Sequence, residues 1–143
     1  MRSSHIILAD SGFWMALFDS RDEHHLEAAT LPIDFDRVAV LVPWPSLYET
    51  LNSRFVKDPR RLAALRVVLA RRNVVLVDDH PYREDAYIDL EMAGSARPLS
   101  LVDRVIRLLL ADPSLRVGAV VTFNAADFFD VCRTHSIEIV PSL

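Results

Sequence analysis

Short apolar runs alternate with longer segments of helical hydrophobic spacing along the chain. The runs are rich in Val, Ile and Leu and are short enough to be buried strands, so they predict strands at residues 5–10, 38–42, 74–77, 117–123 and 137–140. Apolar positions three and four residues apart predict helices at 11–19, 24–29, 46–55, 59–72, 81–92, 100–111 and 125–135. This alternation indicates βα units and an α/β fold with a mostly parallel, five-stranded sheet.

The composition is that of a soluble globular protein. The 143 residues predict a single domain over residues 1–143, with 51% hydrophobic and 25% charged residues. No apolar run approaches the roughly 20 residues that cross a bilayer, and the first run is too short for a signal peptide. Cys132, the single cysteine, cannot form an internal disulfide and sits in an apolar helical pattern, which favours a buried, unreactive thiol. These features predict a cytoplasmic protein without a membrane anchor.

The net charge of −4 is unevenly distributed. The stretch from residue 54 to residue 72 carries +6, which leaves −10 for the rest of the chain. All but one of its basic residues are arginines, whose planar forks suit phosphate groups. Such a stretch is either a solvated helical face or a docking surface for a polyanion, and the charge alone favours the first.

Four acids stand where strands and helices meet. Asp10 closes the first predicted strand, Glu49 and Asp127 follow later strands, and Asp103 begins a helix. In a parallel α/β sheet, ligands bind beyond the carboxyl ends of the strands. We therefore expect Asp10, Glu49 and Asp127 on one edge of the sheet, with Asp103 brought to them by the fold.

A structural explanation competes for three of these acids. Glu49, Asp103 and Asp127 each lie three positions after a capping residue, a pattern typical of the capping box that satisfies backbone groups at a helix start. Taken singly, each acid is more often structural. Taken together with Asp10, which is in no such box, they favour a site, because clustered carboxylates repel one another unless a cation joins them. Their hard oxygen ligands suit Mg²⁺ or Mn²⁺.

The residues around these acids resemble those of the PIN domain family over essentially the whole chain. The markers are the sequence Ile-Leu-Ala-Asp-Ser ending at Ser11, a helix bearing Glu49, the Ser-Leu-Val-Asp segment ending at Asp103, and Thr-Phe-Asn-Ala-Ala-Asp ending at Asp127. The chain's size is similar to that of the toxin ribonucleases of bacterial toxin–antitoxin pairs. The resemblance implies a Rossmann-like, three-layer α/β/α fold, a homodimer, an antitoxin partner and RNA cleavage that depends on Mg²⁺ or Mn²⁺. The apolar helix Leu62–Leu69 also suggests a dimer contact.

The resemblance also implies roles for individual residues. Asp10, Glu49 and Asp103 are expected to hold a metal ion, and Asp127 to complete the site. Ser11 and Thr122 are candidates to orient these carboxylates, although their hydroxyl groups could equally serve nearby backbone. The expected contacts to RNA or to an acidic antitoxin segment are Arg54, Arg60, Arg61 and Arg97.

One position departs from the family pattern. Many members have Asp where this chain has Asn124, and an amide offers a carbonyl oxygen but no charge. A catalytically weak RNA-binding or scaffolding module therefore stays open as a second hypothesis. A nuclease specific for DNA or flaps is a third.

Overall fold

The computed structural model describes residues 5–94 and 96–142, which form one sheet with helices on both faces. The strands are β1 Ile6–Ala9, β2 Ala39–Pro43, β3 Val74–Val77, β4 Ala119–Val121 and β5 Glu138–Val140. Their order across the sheet is β3-β2-β1-β4-β5, and every neighbouring pair is parallel. The predicted α/β class with a five-stranded parallel sheet is confirmed.

Eight helices cover the two faces of this sheet within the described residues. They are α1 Ser11–Phe18, α2 His25–Ala29, α3 Trp44–Thr50, α4 Ser53–Val56, α5 Pro59–Leu69, α6 His80–Ala93, α7 Leu101–Ala111 and α8 Phe129–Thr134, with a 3-10 turn at Ala125–Asp127. Helices α1 to α5 enclose a first hydrophobic core and α6 to α8 a second, which gives the expected three layers. Across the part of the chain that the structure describes, no helix has the length and apolarity to cross a membrane.

Strand β1 lies at the centre of the sheet and is buried on both sides. Because successive side chains of a strand point to opposite faces, Ile7 and Ala9 enter the first core and Leu8 enters the second. All three are at most 2% exposed. The residue that follows, Asp10, therefore emerges at the middle of the carboxyl edge, between the ends of β2 and β4.

Two predicted helices are broken in the structure. The helix expected at 46–55 is split into α3 and α4, because the Asn52 side chain accepts a hydrogen bond from the Phe55 amide at 3.0 Å and starts a new helix. Helix α3 also begins earlier, at Trp44, with Pro45 in its first turn. The helix expected at 125–135 is divided into the 3-10 turn and α8.

The apolar side of α5, which had suggested a dimer contact, is used inside the protomer. Leu65 is fully buried in the first core, and Val68 and Leu69 pack against it. Val67 on α5 is exposed, as are Val75 on the edge strand β3 and Ile88 on α6. The homodimer remains a prediction, because most of the apolar side of α5 packs into the core of the protomer.

Candidate active site

Asp10 lies at the carboxyl end of the central strand, where the residue after it and the residue after β4 donate hydrogen bonds to its carboxylate. The Ser11 amide donates to Asp10 Oδ1 at 2.7 Å, and the Thr122 hydroxyl donates to Oδ2 at 3.0 Å. Thr122 in turn accepts from the Asn124 amide at 3.0 Å. Asp10 therefore also caps α1, a structural role that its position outside a capping box had not suggested.

This carboxylate is 3% exposed, and its hydrogen-bond partners among the described residues include no cationic side chain. Burial raises the pKa of Asp10 above its ordinary value, the donors from Ser11 and Thr122 offset part of the rise, and the charge of Asp103 adds to it. The ionised form of Asp10 is thus destabilised where it stands, and a bound cation would relieve that cost.

Glu49 lies on α3, the helix that follows β2, and faces Asp10 through Ser11. The Ser11 hydroxyl donates to Glu49 Oε1 at 3.0 Å. The capping box expected between Ser46 and Glu49 does not form, because Pro43 caps the helix and Ser46 lies inside it. The Ser46 hydroxyl is buried and has no hydrogen-bond partner within residues 5–94 and 96–142. Burial raises the pKa of Glu49, the Ser11 hydrogen bond lowers it, and the charges of Asp10 and Asp103 raise it.

Asp103 does form the capping box that its sequence predicted. Its amide donates to Ser100 Oγ at 3.1 Å, and its carboxylate accepts from the Ser100 amide at 3.4 Å. The charge of Asp103 also raises the pKa of Asp10, Glu49 and Asp127. The fold therefore brings Asp103 within electrostatic reach of the other three acids.

Asp127 ends the 3-10 turn after β4 and has no capping role of the kind expected. Its amide donates to the Asn124 backbone oxygen at 3.0 Å, and the Asn124 side chain makes no cap bond. Burial raises the pKa of Asp127, as does Asp103, whereas Arg97 and Arg107 lower it. Asn124 itself is exposed beside this turn. We call Asp10, Glu49, Asp103 and Asp127 together the acid site.

The arginines expected to contact RNA differ in their surroundings. Arg54 and Arg60 are exposed. Arg61 is buried: its guanidinium donates to the backbone oxygens of Phe55 at 3.1 Å and Arg54 at 2.7 Å and lies 3.6 Å from Asp19. The structure therefore gives Arg61 a structural role in joining α4 to α5, and little of it is accessible to RNA.

Arg97 lies in the loop before α7 and is paired with Asp130 on α8. Arg107 donates to the Asp130 carboxylate as well. Neither Arg107 nor Asp130 was among the residues predicted from the sequence. One signal was available: Arg107 lies four residues after Asp103 on a helix, so the two side chains share a face. Nothing in the sequence indicated that Asp130 would reach them from another helix.

The donors of the acid site suit a hard divalent cation, since all are carboxylate oxygens whose charges interact. Among residues 5–94 and 96–142, however, no group of three or more His, Cys, Asp or Glu side chains is arranged so that it could hold a metal ion as placed. The acids thus fit Mg²⁺ or Mn²⁺ by chemistry and by charge, and ligation would require their side chains to converge.

The protein is therefore a parallel α/β/α sandwich with electrostatically coupled acids at the carboxyl edge of its sheet. No protein-family model matches the chain, and no curated protein matches its sequence. Among solved structures, the chain is similar to the crystal structure of VapC20 from Mycobacterium tuberculosis, a toxin that cleaves the sarcin-ricin loop. The similarity covers 87% of this chain and 94% of VapC20, with a TM-score of 0.65 and 21% sequence identity. It establishes a shared fold, in agreement with the fold that the resemblance to PIN domains implied.

Proposed function

We propose that this protein is a metal-dependent endoribonuclease of the PIN type and the toxin of a toxin–antitoxin pair. The observation that carries the proposal is the acid site: four carboxyl groups from separate parts of the chain share one edge of the sheet, and three have raised pKa values. VapC20, which has a similar fold, is a toxin that cleaves the sarcin-ricin loop. The cytoplasm is the proposed location.

In this proposal Asp10, Glu49 and Asp103 hold Mg²⁺ or Mn²⁺, and Asp127 completes the site. Such an ion, when bound, lowers the pKa of a coordinated water and polarises the phosphate. Ser11 orients Glu49 through the 3.0 Å hydrogen bond, and Thr122 orients Asp10 in the same way. Burial of Asp10 keeps bulk water from competing for its oxygens.

The test is cleavage of mixed structured RNAs, including a sarcin-ricin loop hairpin, with Mg²⁺, Mn²⁺ or EDTA. We expect metal-dependent cleavage by the native chain and a loss of more than about 100-fold in Asp10→Asn, on the scale of lost catalytic groups. Asp78→Asn is the matched control, because Asp78 follows the outer strand β3 and is exposed. It should cleave normally. Equal activity in both variants would contradict the proposal.

The second candidate is an RNA-binding module with little catalysis, and two observations favour it. Asn124 replaces an acid of the family pattern, and the acids as placed do not yet form a metal cluster within the described residues. RNA binding without cleavage in any metal, unaffected by Asp10→Asn, would support this module.

Single-stranded and flap DNA in the same assay address the third candidate, a DNA-specific nuclease.

Arg54 and Arg60 remain the proposed contacts of the basic stretch with RNA or with an acidic antitoxin segment. Reversing both charges should weaken RNA binding and flatten its salt dependence by about one to two units of slope. An unchanged slope would remove the proposal.

The homodimer is tested separately by light scattering at micromolar concentration, where a monomer would contradict it.

A further inference from the structure

Asp130 binds two arginine forks at once. Arg97 donates to its two carboxylate oxygens at 3.1 Å each, and Arg107 donates to the same oxygens at 2.7 and 2.8 Å. We call these three residues the Arg97–Arg107–Asp130 cluster. Its two arginines and one acid carry a net charge of +1, so the carboxylate neutralises only part of the positive charge around it.

The geometry of the cluster is that of an anion site. A guanidinium fork matches phosphate and carboxylate equally well, and two forks converging on one small anion are a stronger receptor than either alone. The Asp130 carboxylate therefore occupies a position that phosphate oxygens can take. Arg107 and Arg97 hold the pKa of Asp130 well below its usual range. The carboxylate therefore stays charged at any working pH and competes with phosphate for the two arginines.

The cluster borders the acid site. Arg107 lies one helical turn after Asp103 on the same face of α7 and also donates to the Asp127 backbone oxygen at 2.8 Å. Both arginines lower the pKa of Asp127 through their charge. An anion bound here would thus lie next to the carboxylates that hold the metal ion in the proposed function.

The cluster is also accessible. The side chains of Asp130 and Arg97 are 52% and 45% exposed, and that of Arg107 is 19% exposed. Arg107 is fixed by its bond to the Asp127 backbone, so it would keep its place if Asp130 turned outward. Asp130 lies in the first turn of α8, where it has solvent to turn into.

We propose that Arg97 and Arg107 form a subsite for an RNA backbone phosphate beside the acid site, and that Asp130 occupies this subsite until the RNA displaces it. The inference rests on the proposed function for the identity of the anion. Asp130 then sets the strength of RNA binding, since every RNA must exchange one anion for another at these arginines.

The test is binding of a labelled 20-nucleotide RNA in EDTA, where metal-dependent cleavage is absent, at several salt concentrations. Asp130→Asn should bind at least three-fold more tightly than the native chain, with a salt slope steeper by about 0.7 to 0.9 for the added phosphate contact. Asp36→Asn is the matched control: it also adds one positive charge and also releases an arginine, Arg71, which is 45% exposed like Arg97. That pair precedes β2 and β3, at the opposite edge of the sheet, so Asp36→Asn should bind as the native chain does.

A second variant guards against loosening of α8 in Asp130→Asn. Arg97→Ala should weaken RNA binding, and the double variant Asp130→Asn with Arg97→Ala should lose the gain in affinity. Arg71→Ala should change neither the affinity of the native chain nor the gain in Asp130→Asn. Native-like affinity and slope in Asp130→Asn, or a gain that survives Arg97→Ala, would overturn the subsite. So would a gain shown for a hexaglutamate peptide and not for RNA.

Cleavage with Mn²⁺, scored in parallel, separates this inference from the proposed function. Cleavage by the native chain without a gain in Asp130→Asn would overturn the subsite and leave the nuclease standing. The gain without any cleavage would support the subsite and contradict the nuclease.

Discussion

Among single residues, Asp10 shows how a site can work against folding. Its carboxylate is 3% exposed and has a raised pKa because burial disfavours the charged form. An ionised Asp10 is therefore a charge that the unfolded chain would hold at lower cost than the folded protein does. The same residue is the one that the proposed activity needs ionised, so stability and function are opposed at this position.

Asp10→Asn should accordingly stabilise the metal-free protein at pH 7 by about 1 kcal/mol, or roughly 2–4 °C in Tm. A raised folded-state pKa penalises the native protein fully above that pKa, and the penalty shrinks as the pH falls from the folded-state pKa towards the lower unfolded-state pKa. The advantage of the variant should therefore shrink on acidification. Thermal unfolding between pH 7 and pH 4 measures this, and a variant less stable than the native chain at pH 7 would contradict it.

Arg60 and Arg61 are adjacent in sequence but should behave oppositely on mutation. Arg61→Ala removes two hydrogen bonds to backbone oxygens, the pairing with Asp19 and the contact of its guanidinium over the Phe55 ring. We expect a loss of about 2–4 kcal/mol in the free energy of unfolding. Arg60→Ala, at an exposed position, should change it by less than about 0.5 kcal/mol. Urea denaturation distinguishes them, and equal effects would contradict the structural role of Arg61.

At the scale of elements, three segments share one sequence pattern but differ in structure. A capping residue followed three positions later by an acid forms a capping box only at Ser100–Asp103. At Ser46 the helix starts two residues earlier, and at Asn124 the turn is 3-10 with no side-chain cap. The structural explanation therefore covers one of the three acids, which leaves Glu49 and Asp127 available for the acid site.

Ser100→Ala and Ser46→Ala test this difference directly. Ser100→Ala should lower the free energy of unfolding by about 1 kcal/mol, because a working cap is lost. Ser46→Ala should be neutral or stabilising, because it removes a buried hydroxyl that has no partner. A comparable loss in both variants would show that the Ser46 hydroxyl is satisfied after all.

The strands were the most predictable part of the fold. Strands β1, β2 and β4 are mostly buried, and a buried parallel strand shows as a continuous apolar run whatever its neighbours are. The edge strand β3 is also a continuous apolar run, although Val75 and Leu76 are exposed. The helix breaks were not predictable, since Asn52 ends one helix and begins another through a local side-chain bond. Thr122 and Asp10 are 112 residues apart along the chain, and their hydrogen bond depends on the pairing of β1 with β4. Hydrophobic pattern alone does not specify that pairing.

For the molecule as a whole, the second core contains a residue that reports on global unfolding. Cys132 is 1% exposed, and burial raises the pKa of its thiol to about 11. The predicted buried thiol is therefore found, and its thiolate is scarce at neutral pH.

Alkylation of Cys132 by iodoacetamide at pH 8 should be blocked in the native protein and should accelerate with urea in parallel with global unfolding. A cysteine introduced on the exposed face of α5, Ala63→Cys, should react at once and serves as the control. Mass spectrometry counts both labels. Rapid labelling of Cys132 without denaturant would show that the second core opens locally.

The order of strands across the sheet also has a consequence in time. Strands β1, β2 and β3 are synthesised first, together with Asp10 and Glu49. At that stage the edge of β1 that pairs with β4 has no neighbouring strand. Strand β4, with Thr122 and then Asp127, is synthesised only after residue 118. A ribosome must therefore release the chain as far as Asp127 before the four carboxylates can share an edge. In the proposed function, the growing polypeptide cannot cleave RNA until that point of its synthesis.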